Sequence, residues 1–237
     1  MDYTKQKYSS SYNSTDTSLN QGLRDYMVAI YRNMCIALLI TAAVSYSVAE
    51  SGLVFSLVGP FAFIVMLAPI GFVIYMTSRF ERMSYRSAQT SLWIFSGLIG
   101  LSLSSIFVIY TSSSIARTFL IAAAVFGSMS IYGYSTKRDL SSLGSFLIMG
   151  VWGLFIAGIV NIFMQSPAIY FITSFIGVLV FTGMVAYESQ AVKNLYYRMD
   201  GDSENSNKIA VFASLSLYMS FVNLFLYLLR FFGDRRD

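Results

Sequence analysis

The stretch FITSFIGVLVFTGMVAY occupies residues 171–187 and contains no charged residue until Glu188 follows it. A second apolar stretch, residues 211–232, begins after one short charged loop. A helix that spans a membrane needs roughly 20 apolar residues, with a range of about 17–25, so both stretches predict transmembrane helices. Glu188 is then an acid at the edge of membrane depth. Such an acid costs a few kcal/mol unless it is paired or hydrated, which makes Glu188 a candidate ion or proton site.

The composition of the whole chain is typical of a membrane protein. Of its 237 residues, 56% are hydrophobic and 12% are charged, whereas a soluble domain has about 25% charged residues. There is room for one membrane domain and for no sizeable soluble one. The net charge of +4 comes from basic residues scattered between apolar runs. No aromatic-basic motif accompanies them, so we expect no nucleic-acid partner.

Seven apolar segments follow one another along the chain and predict an all-α integral membrane protein with seven transmembrane helices. The polar segment Met1–Leu19 lacks the apolar core of a signal peptide. It predicts a disordered cytoplasmic tail over residues 1–21, before a membrane domain over residues 22–237. The approximate bounds of the seven segments are Asn33–Ala49, Leu57–Met76, Thr90–Tyr110, Ile115–Tyr134, Leu143–Met164, Ala168–Tyr187 and Val211–Phe232.

The Lys and Arg residues predict the orientation of these segments. They occur before segment one and in the loops after segments two, four and six, whereas the loops after segments one and five contain none. By the positive-inside rule, the N-terminus and the basic loops are cytoplasmic. A full span of segment seven places Arg235 and Arg236 outside, against the rule, and a re-entrant segment seven is the alternative. We expect the full span, because late charges weigh less than early ones.

The residue types of the chain exclude several kinds of catalysis. The sequence has no His, and Cys35 is its single Cys. Ser-His-Asp and Cys-His catalysis and His-based zinc sites are therefore excluded. No Gly-rich phosphate loop follows a strand. We expect a protein that is not an enzyme and that holds no cofactor.

Polar residues of segments six and seven form the candidate site. Ser216, Ser220 and Asn223 are spaced at i, i+4 and i+7, so they share one face of a helix. A polar face on an apolar helix belongs inside the bundle. Glu188 can reach it if segments six and seven are antiparallel neighbours, and Arg79 is the best available counter-charge. The alternative is a Glu188 that only extends to interfacial water.

Three stretches carry a resemblance to a known family. They are YGYSTKRDLSSLGSFLIMG (residues 132–150), VFTGMVAYESQAVKNLY (180–196) and ASLSLYMSFVNLFLYLLRFFG (213–233), with a weaker match in RFERMSYRSA (79–88). In this order they resemble the Bax-inhibitor family of membrane proteins, over roughly residues 22–233. The first stretch contains Lys137, Arg138 and Asp139, which match the loop motif joining helices four and five of the family.

The resemblance implies six helices around a central seventh and a pH-sensitive calcium leak. In the family, an Asp on helix six and an Asp on helix seven share a proton, and a helix-two Arg interacts with them. By position these residues correspond to Glu188, Ser220 and Arg79, so the second carboxylate is missing here. The coupled titration of two carboxyl groups is therefore lost, because only the Glu188 carboxyl group remains. Glu188 alone is also a weak metal ligand for Ca²⁺. We expect weakened conduction or altered pH gating.

The sequence is also compatible with a second function. The resemblance also permits the alternative of a non-conducting membrane regulator that binds a membrane protease or a stress or cell-death partner. The polar tail Met1–Leu19 would suit such binding. Under either function the chain lies in a lipid bilayer, and Ca²⁺ or protons are the expected ions. The family resemblance and the absence of a targeting signal indicate a bacterial inner membrane.

Overall fold

A computed structural model describes residues 3–57, 62–199 and 203–236; the side chains of residues 3–20, 56–57, 62–64, 66 and 203–205 fall outside that description. Every element in the described part is helical, apart from one isolated bridge between Tyr110 and Arg235. The expected all-α class is therefore confirmed. The helices are α1 Tyr3–Glu50, α2 Leu53–Leu57, α3 Ala62–Ser78, a 3₁₀ turn Phe80–Arg82, α4 Tyr85–Leu103, α5 Ile106–Ile109, α6 Ser112–Ser135, α7 Ser141–Met164, α8 Pro167–Tyr196 and α9 Ser203–Phe232.

Six helical stretches of the described chain are long and apolar enough to cross a membrane, and they overlap the first and the third to seventh predicted segments. The second predicted segment overlaps α3, whose described apolar part, Leu67–Ser78, is shorter. The described residues thus contain six candidate spans, and the seventh span stays a prediction. The six stretches are Gln21–Glu50, Tyr85–Ile109, Ser112–Ser135, Ser141–Met164, Pro167–Tyr196 and Ser206–Phe232.

The first helix begins well before its apolar part. Helix α1 has 48 residues, and only the part from Gln21 onward is apolar enough to cross a membrane. Most of the segment predicted to be a disordered tail therefore continues α1 toward the N-terminus. The structure describes only the backbone of residues 3–20 and not the contacts of their side chains. The predicted disorder of this tail is therefore not tested and stays a prediction.

Local capping residues explain where several helices begin. The side chains of Ser84, Thr111 and Ser166 each accept a hydrogen bond from the backbone N–H three residues later, at the starts of α4, α6 and α8. Such caps satisfy backbone donors that have no partner within the helix. Pro167 follows Ser166 at the first helical position, where a missing N–H does no harm.

Helix α9 is the most buried of the six long helices. Within its apolar window 67% of the residues are buried, against 11–33% in the other five. It packs against α1, α4, α6 and α8, while α7 packs on α8 and is the least buried. Helices α6 and α8 approach closely at Gly133, where a Cβ would overlap the carbonyl oxygen of Ala186. Small residues permit such close approach between membrane helices.

The two ends of the bundle differ in chemistry. At one end, which we call the basic end, Lys208 lies over the ring of Phe80 and Phe212 packs edge-on against the same ring. The 3₁₀ turn, the 136–140 loop and the junction of α8 and α9 lie at this end. The basic end therefore gathers the loops in which the sequence concentrates Lys and Arg.

At the opposite end, the residues after α9 are tied to the turn between α5 and α6. The backbone N–H of Thr111 donates to the carbonyl of Asp234 at 3.1 Å, and that of Arg236 donates to the carbonyl of Ile109 at 2.9 Å. The N–H of Asp234 donates to the Ser114 hydroxyl at 2.9 Å. We call residues 233–236 with this turn the C-terminal clasp. Helix α9 starts at the basic end and ends at the clasp, so it extends over the whole length of the bundle; the side of the membrane on which it ends stays a prediction.

Candidate functional site

Glu188 lies on the face of α8 that packs against α9. These two helices are antiparallel neighbours, joined by the short connection after Tyr196. The Glu188 side chain is 9% exposed, although a carboxyl group is among the groups least often buried in proteins. The structure thus places Glu188 inside the bundle, and the alternative of an acid extending to interfacial water does not describe it.

Two hydroxyl groups of α9 face the Glu188 carboxyl group. The Ser216 hydroxyl donates a hydrogen bond of 2.7 Å to Oε1, and the Ser220 hydroxyl, one turn further along, also lies near the carboxyl group. Oε2 is buried and has no hydrogen-bond partner. The site therefore consists of one acid, two neutral hydroxyl groups and one unsatisfied oxygen atom.

The predicted ion pair between Glu188 and Arg79 does not form. Arg79 is exposed and lies over the Tyr75 ring, 5.8 Å from its centroid. The only ion pair within the described residues joins Arg117 and Asp234, at the opposite end of the bundle. Arg79 follows the last turn of α3, where its guanidinium keeps its water, and moving it beside Glu188 would require desolvation.

Asn223, the third member of the predicted polar face, also does not reach Glu188. Its side-chain amide donates to the carbonyl of Met219 at 2.8 Å, one turn back on the same helix. An amide that is bonded to its own helix is not directed at a neighbouring helix. Asn223 therefore belongs to the packing of α9, and the site narrows to Glu188, Ser216 and Ser220.

The loop motif has a structural role in this arrangement. Lys137, Arg138 and Asp139 are exposed. Asp139 accepts hydrogen bonds from the Ser141 backbone N–H at 2.9 Å and from its hydroxyl at 2.6 Å, at the start of α7. These two bonds lower the pKa of the Asp139 carboxyl group, because they favour its charged form. The motif starts a helix and contributes no group to Glu188.

Gln190, two residues after Glu188, fastens that loop to α8. Its Oε1 accepts from the Leu140 backbone N–H at 2.8 Å, and its Nε2 donates to the Arg138 carbonyl at 2.7 Å. The side chain is only 6% exposed. Both ends of one buried amide are thus satisfied by the backbone of the 138–140 loop, so the loop and the Glu188 turn of α8 are mechanically joined.

Replacing Gln190 with Leu is expected to destabilise the protein by about 1–3 kcal/mol, because the buried Leu140 N–H loses its partner, while the carbonyl of the exposed Arg138 loses a donor that water can replace. Thermal unfolding of the purified protein in detergent measures this loss. Gln190→Glu is a second comparison: it keeps an acceptor for Leu140, removes the amide donor to Arg138 and adds an acidic group at a buried position. If Gln190→Leu melts like the parent protein, the clamp does not stabilise the loop.

Other buried polar contacts link α9 and α8 to the rest of the bundle. The Thr41 hydroxyl lies 2.7 Å from the Tyr218 hydroxyl and donates to the Ser96 carbonyl at 2.9 Å. On α8, Ser189 donates to Ser130 at 3.3 Å. The sequence indicates only that Ser and other small residues recur in these segments. Which of them pair depends on helix rotation, which the spacing of small residues does not determine.

A cavity of about 580 Å³ lies beside the site at the basic end. Tyr187 and Gln190, which flank Glu188 on α8, line it together with Phe212 and Ala213 of α9. Ser216, the hydrogen-bond donor to Glu188, is itself exposed. The cavity thus lies within two residues of Glu188 along α8, and neither Glu188 nor Ser216 lines it.

The described residues contain no group of three or more His, Cys, Asp or Glu side chains able to hold a metal ion. Ca²⁺ takes six to eight oxygen ligands, and Glu188 supplies two of them. With the hydroxyl groups of Ser216 and Ser220, the site offers four oxygen atoms, fewer than a Ca²⁺ site needs.

Residues 23–237 match the family described as "Inhibitor of apoptosis-promoting Bax1". The chain belongs to the Bax-inhibitor family. A Rickettsia prowazekii protein, RP147, is 45% identical over the full length of both chains. The inner membrane protein YbhL of Escherichia coli is 41% identical, over 91% of this chain and 94% of YbhL. A Borreliella burgdorferi protein is also 41% identical, over 90% of this chain and 93% of its own length.

Membership of the Bax-inhibitor family confirms the resemblance found in the three sequence stretches. The match and the six long apolar helices together make this chain a multi-pass membrane protein. One relative is named as an inner membrane protein. The match covers the membrane domain and begins two residues after the predicted tail.

Proposed function

We propose that this protein is a weak cation leak of a bacterial inner membrane, with Glu188 as its single titrating gate and Ca²⁺ as its expected ion. The observation that carries the proposal is the buried Glu188 carboxyl group, bonded to Ser216 through one oxygen and unpartnered at the other. A buried polar group without a partner is costly and marks functional positions in membrane helices. The proposed topology has seven spans, a cytoplasmic N-terminus and the last helix enclosed by the other six.

The proposed direction of gating follows from burial. Removing a carboxyl group from water disfavours its charged form, and among the described residues no cation lies beside Glu188 to compensate. The arrangement described here suits the neutral acid and a closed path. Ionisation draws water or a cation to the carboxylate from the adjacent cavity. We therefore expect flux to rise as the pH rises through the titration of Glu188.

Replacing Glu188 with Gln is expected to remove the pH dependence of Ca²⁺ flux, because the amide keeps the shape and cannot ionise. In the parent protein one acid changes its ionised population by at most about tenfold per pH unit, so the flux curve should be shallow. The measurement is Ca²⁺ entry into liposomes containing the purified protein, from acidic to alkaline pH. Glu50→Gln, at an exposed acid of α1, is the matched control and should behave like the parent.

A flux curve that is unchanged in Glu188→Gln would contradict the gate. Absence of flux at every pH, from folded protein, would favour the alternative function, a non-conducting regulator that binds a membrane protease or a stress or cell-death partner. One observation favours that alternative: the site holds a single acid and no cluster of ligands. Deleting Met1–Leu19 would then reduce partner binding and leave liposome flux unaffected.

A further inference from the structure

A groove of about 830 Å³ lies between α1 and α6. Helix α1 lines it from Arg24 to Leu38, helix α6 lines it from Phe119 to Tyr134, and Phe221 of α9 lies between them. Sites for small molecules in proteins have volumes of about 300–1,000 Å³ and are mostly apolar. The groove has this size, and it is separate from the Glu188 site.

The groove is longer than the hydrocarbon part of one leaflet of a bilayer. At a rise of about 1.5 Å per residue, the helical stretch from residue 24 to residue 38 is about 21 Å long. The hydrocarbon core of a bilayer is about 30 Å thick, so one leaflet contributes about 15 Å. An acyl chain that enters beside the groove therefore finds apolar lining over its whole length, with the basic end of the groove at headgroup level.

The charge at the basic end is positive. Arg24 is the one charged residue of the lining, and it is exposed. Lys193 of α8 lies at the same end: its ammonium group donates to the Tyr134 carbonyl and lies 5.6 Å from the centroid of the Tyr134 ring. No carboxylate lines the groove. Basic pockets between membrane helices are a setting in which proteins bind anionic lipid headgroups.

We propose that this groove is a binding site for one anionic phospholipid of the bilayer, with an acyl chain between α1 and α6 and its phosphate at Arg24 and Lys193. A second groove of about 580 Å³, between α7 and α8, serves as a comparison for the type of lipid bound. That groove is similarly apolar and contains no charged residue in its lining. It fits acyl chains of any lipid, whereas the α1–α6 groove adds attraction for a negative headgroup.

Two residues of the groove make the proposal testable. A Cβ added at Gly127 would meet no atom within 4 Å, and Gly127 lines the groove, so the side chain of a Leu there would extend into the space of the acyl chain. Cys35, the only cysteine of the chain, is exposed and lines the opposite wall. A bound chain should shield its thiol from alkylation.

The first experiment uses native mass spectrometry of the full chain in mild detergent with equal amounts of phosphatidylglycerol and phosphatidylcholine. We expect one retained lipid, with about a tenfold preference for phosphatidylglycerol. Gly127→Leu should lose the retained lipid, and the double variant Arg24→Gln/Lys193→Gln should lose the preference. Gly153→Leu, which fills the α7–α8 groove, and Arg86→Gln, at an exposed basic residue outside the groove, are the controls and should match the parent.

The second measurement needs no substitution. Alkylation of Cys35 in the parent protein should slow several-fold when phosphatidylglycerol is added and much less when phosphatidylcholine is added. Equal retention of the two lipids by the parent protein would overturn the proposal. So would retention by Gly127→Leu at the parental level, or a Cys35 alkylation rate that does not respond to phosphatidylglycerol. None of these outcomes depends on ion flux, so the lipid site and the Glu188 gate are tested separately.

Discussion

Replacing Ser220 with Asp is expected to strengthen Ca²⁺ binding beside Glu188 by about tenfold or more and to make it depend on two protons rather than one. The Ser220 hydroxyl already lies near the Glu188 carboxyl group and is 3% exposed. An Asp there adds two oxygen ligands and a second negative charge, both of which favour a hard cation. Two carboxyl groups in contact cannot both ionise readily, so their titrations become coupled.

Equilibrium Ca²⁺ binding to the purified protein, measured across pH, gives both quantities. Ser220→Asn is the matched control, because it has the same size as Asp and cannot ionise. Size-exclusion chromatography and thermal melting establish that each variant is folded before binding is compared. If Asp and Asn at this position bind Ca²⁺ equally, residue 220 does not face the ion path, and the single-acid account of this chain is wrong.

Replacing Gly133 with Val is expected to cost about 3 kcal/mol or more of stability, the largest loss we anticipate from one substitution outside the Glu188 site. The new Cβ would overlap the backbone carbonyl of Ala186. A backbone atom cannot move aside as a flexible side chain can, so α6 and α8 would have to separate. That separation would also disturb the contact between Ser130 and Ser189.

The thermal melting temperature and the yield of monodisperse protein in detergent test this expectation. Gly127→Val is the control on the same helix, since its Cβ would meet nothing within 4 Å. Equal melting temperatures for the two variants would mean that α6 and α8 are less tightly packed than described. A loss confined to Gly133→Val would identify the α6–α8 contact as a fixed part of the bundle.

The positions of the long helices and the contact between α8 and α9 could be predicted from sequence, because both depend on local patterns. Apolar runs of sufficient length determine spans, and a short connection makes neighbours of consecutive helices. The spacing of Ser216 and Ser220 by one turn places both on a single face of α9, toward Glu188. These inferences need no knowledge of how non-consecutive helices are arranged.

The environment of Glu188 could not be predicted in the same way. The sequence places Arg79 at a depth in the membrane similar to that of Glu188, which makes it the best available counter-charge. Its distance from Glu188, however, depends on where α3 ends relative to α8. Asn223 has the right spacing, but its amide is satisfied within its own helix. The link from Gln190 to the 138–140 loop joins residues about fifty positions apart, and no periodicity in the sequence indicates such a pairing.

The burial of α9 has a consequence for how the protein is made. Of the helices described, α9 leaves the ribosome last, yet α1, α4, α6 and α8 all pack against it. During synthesis those helices reach the membrane with their inner faces uncovered and with Glu188 lacking its Ser216 partner. The chain therefore passes through a stage in which the faces of these helices that contact α9 are not yet covered.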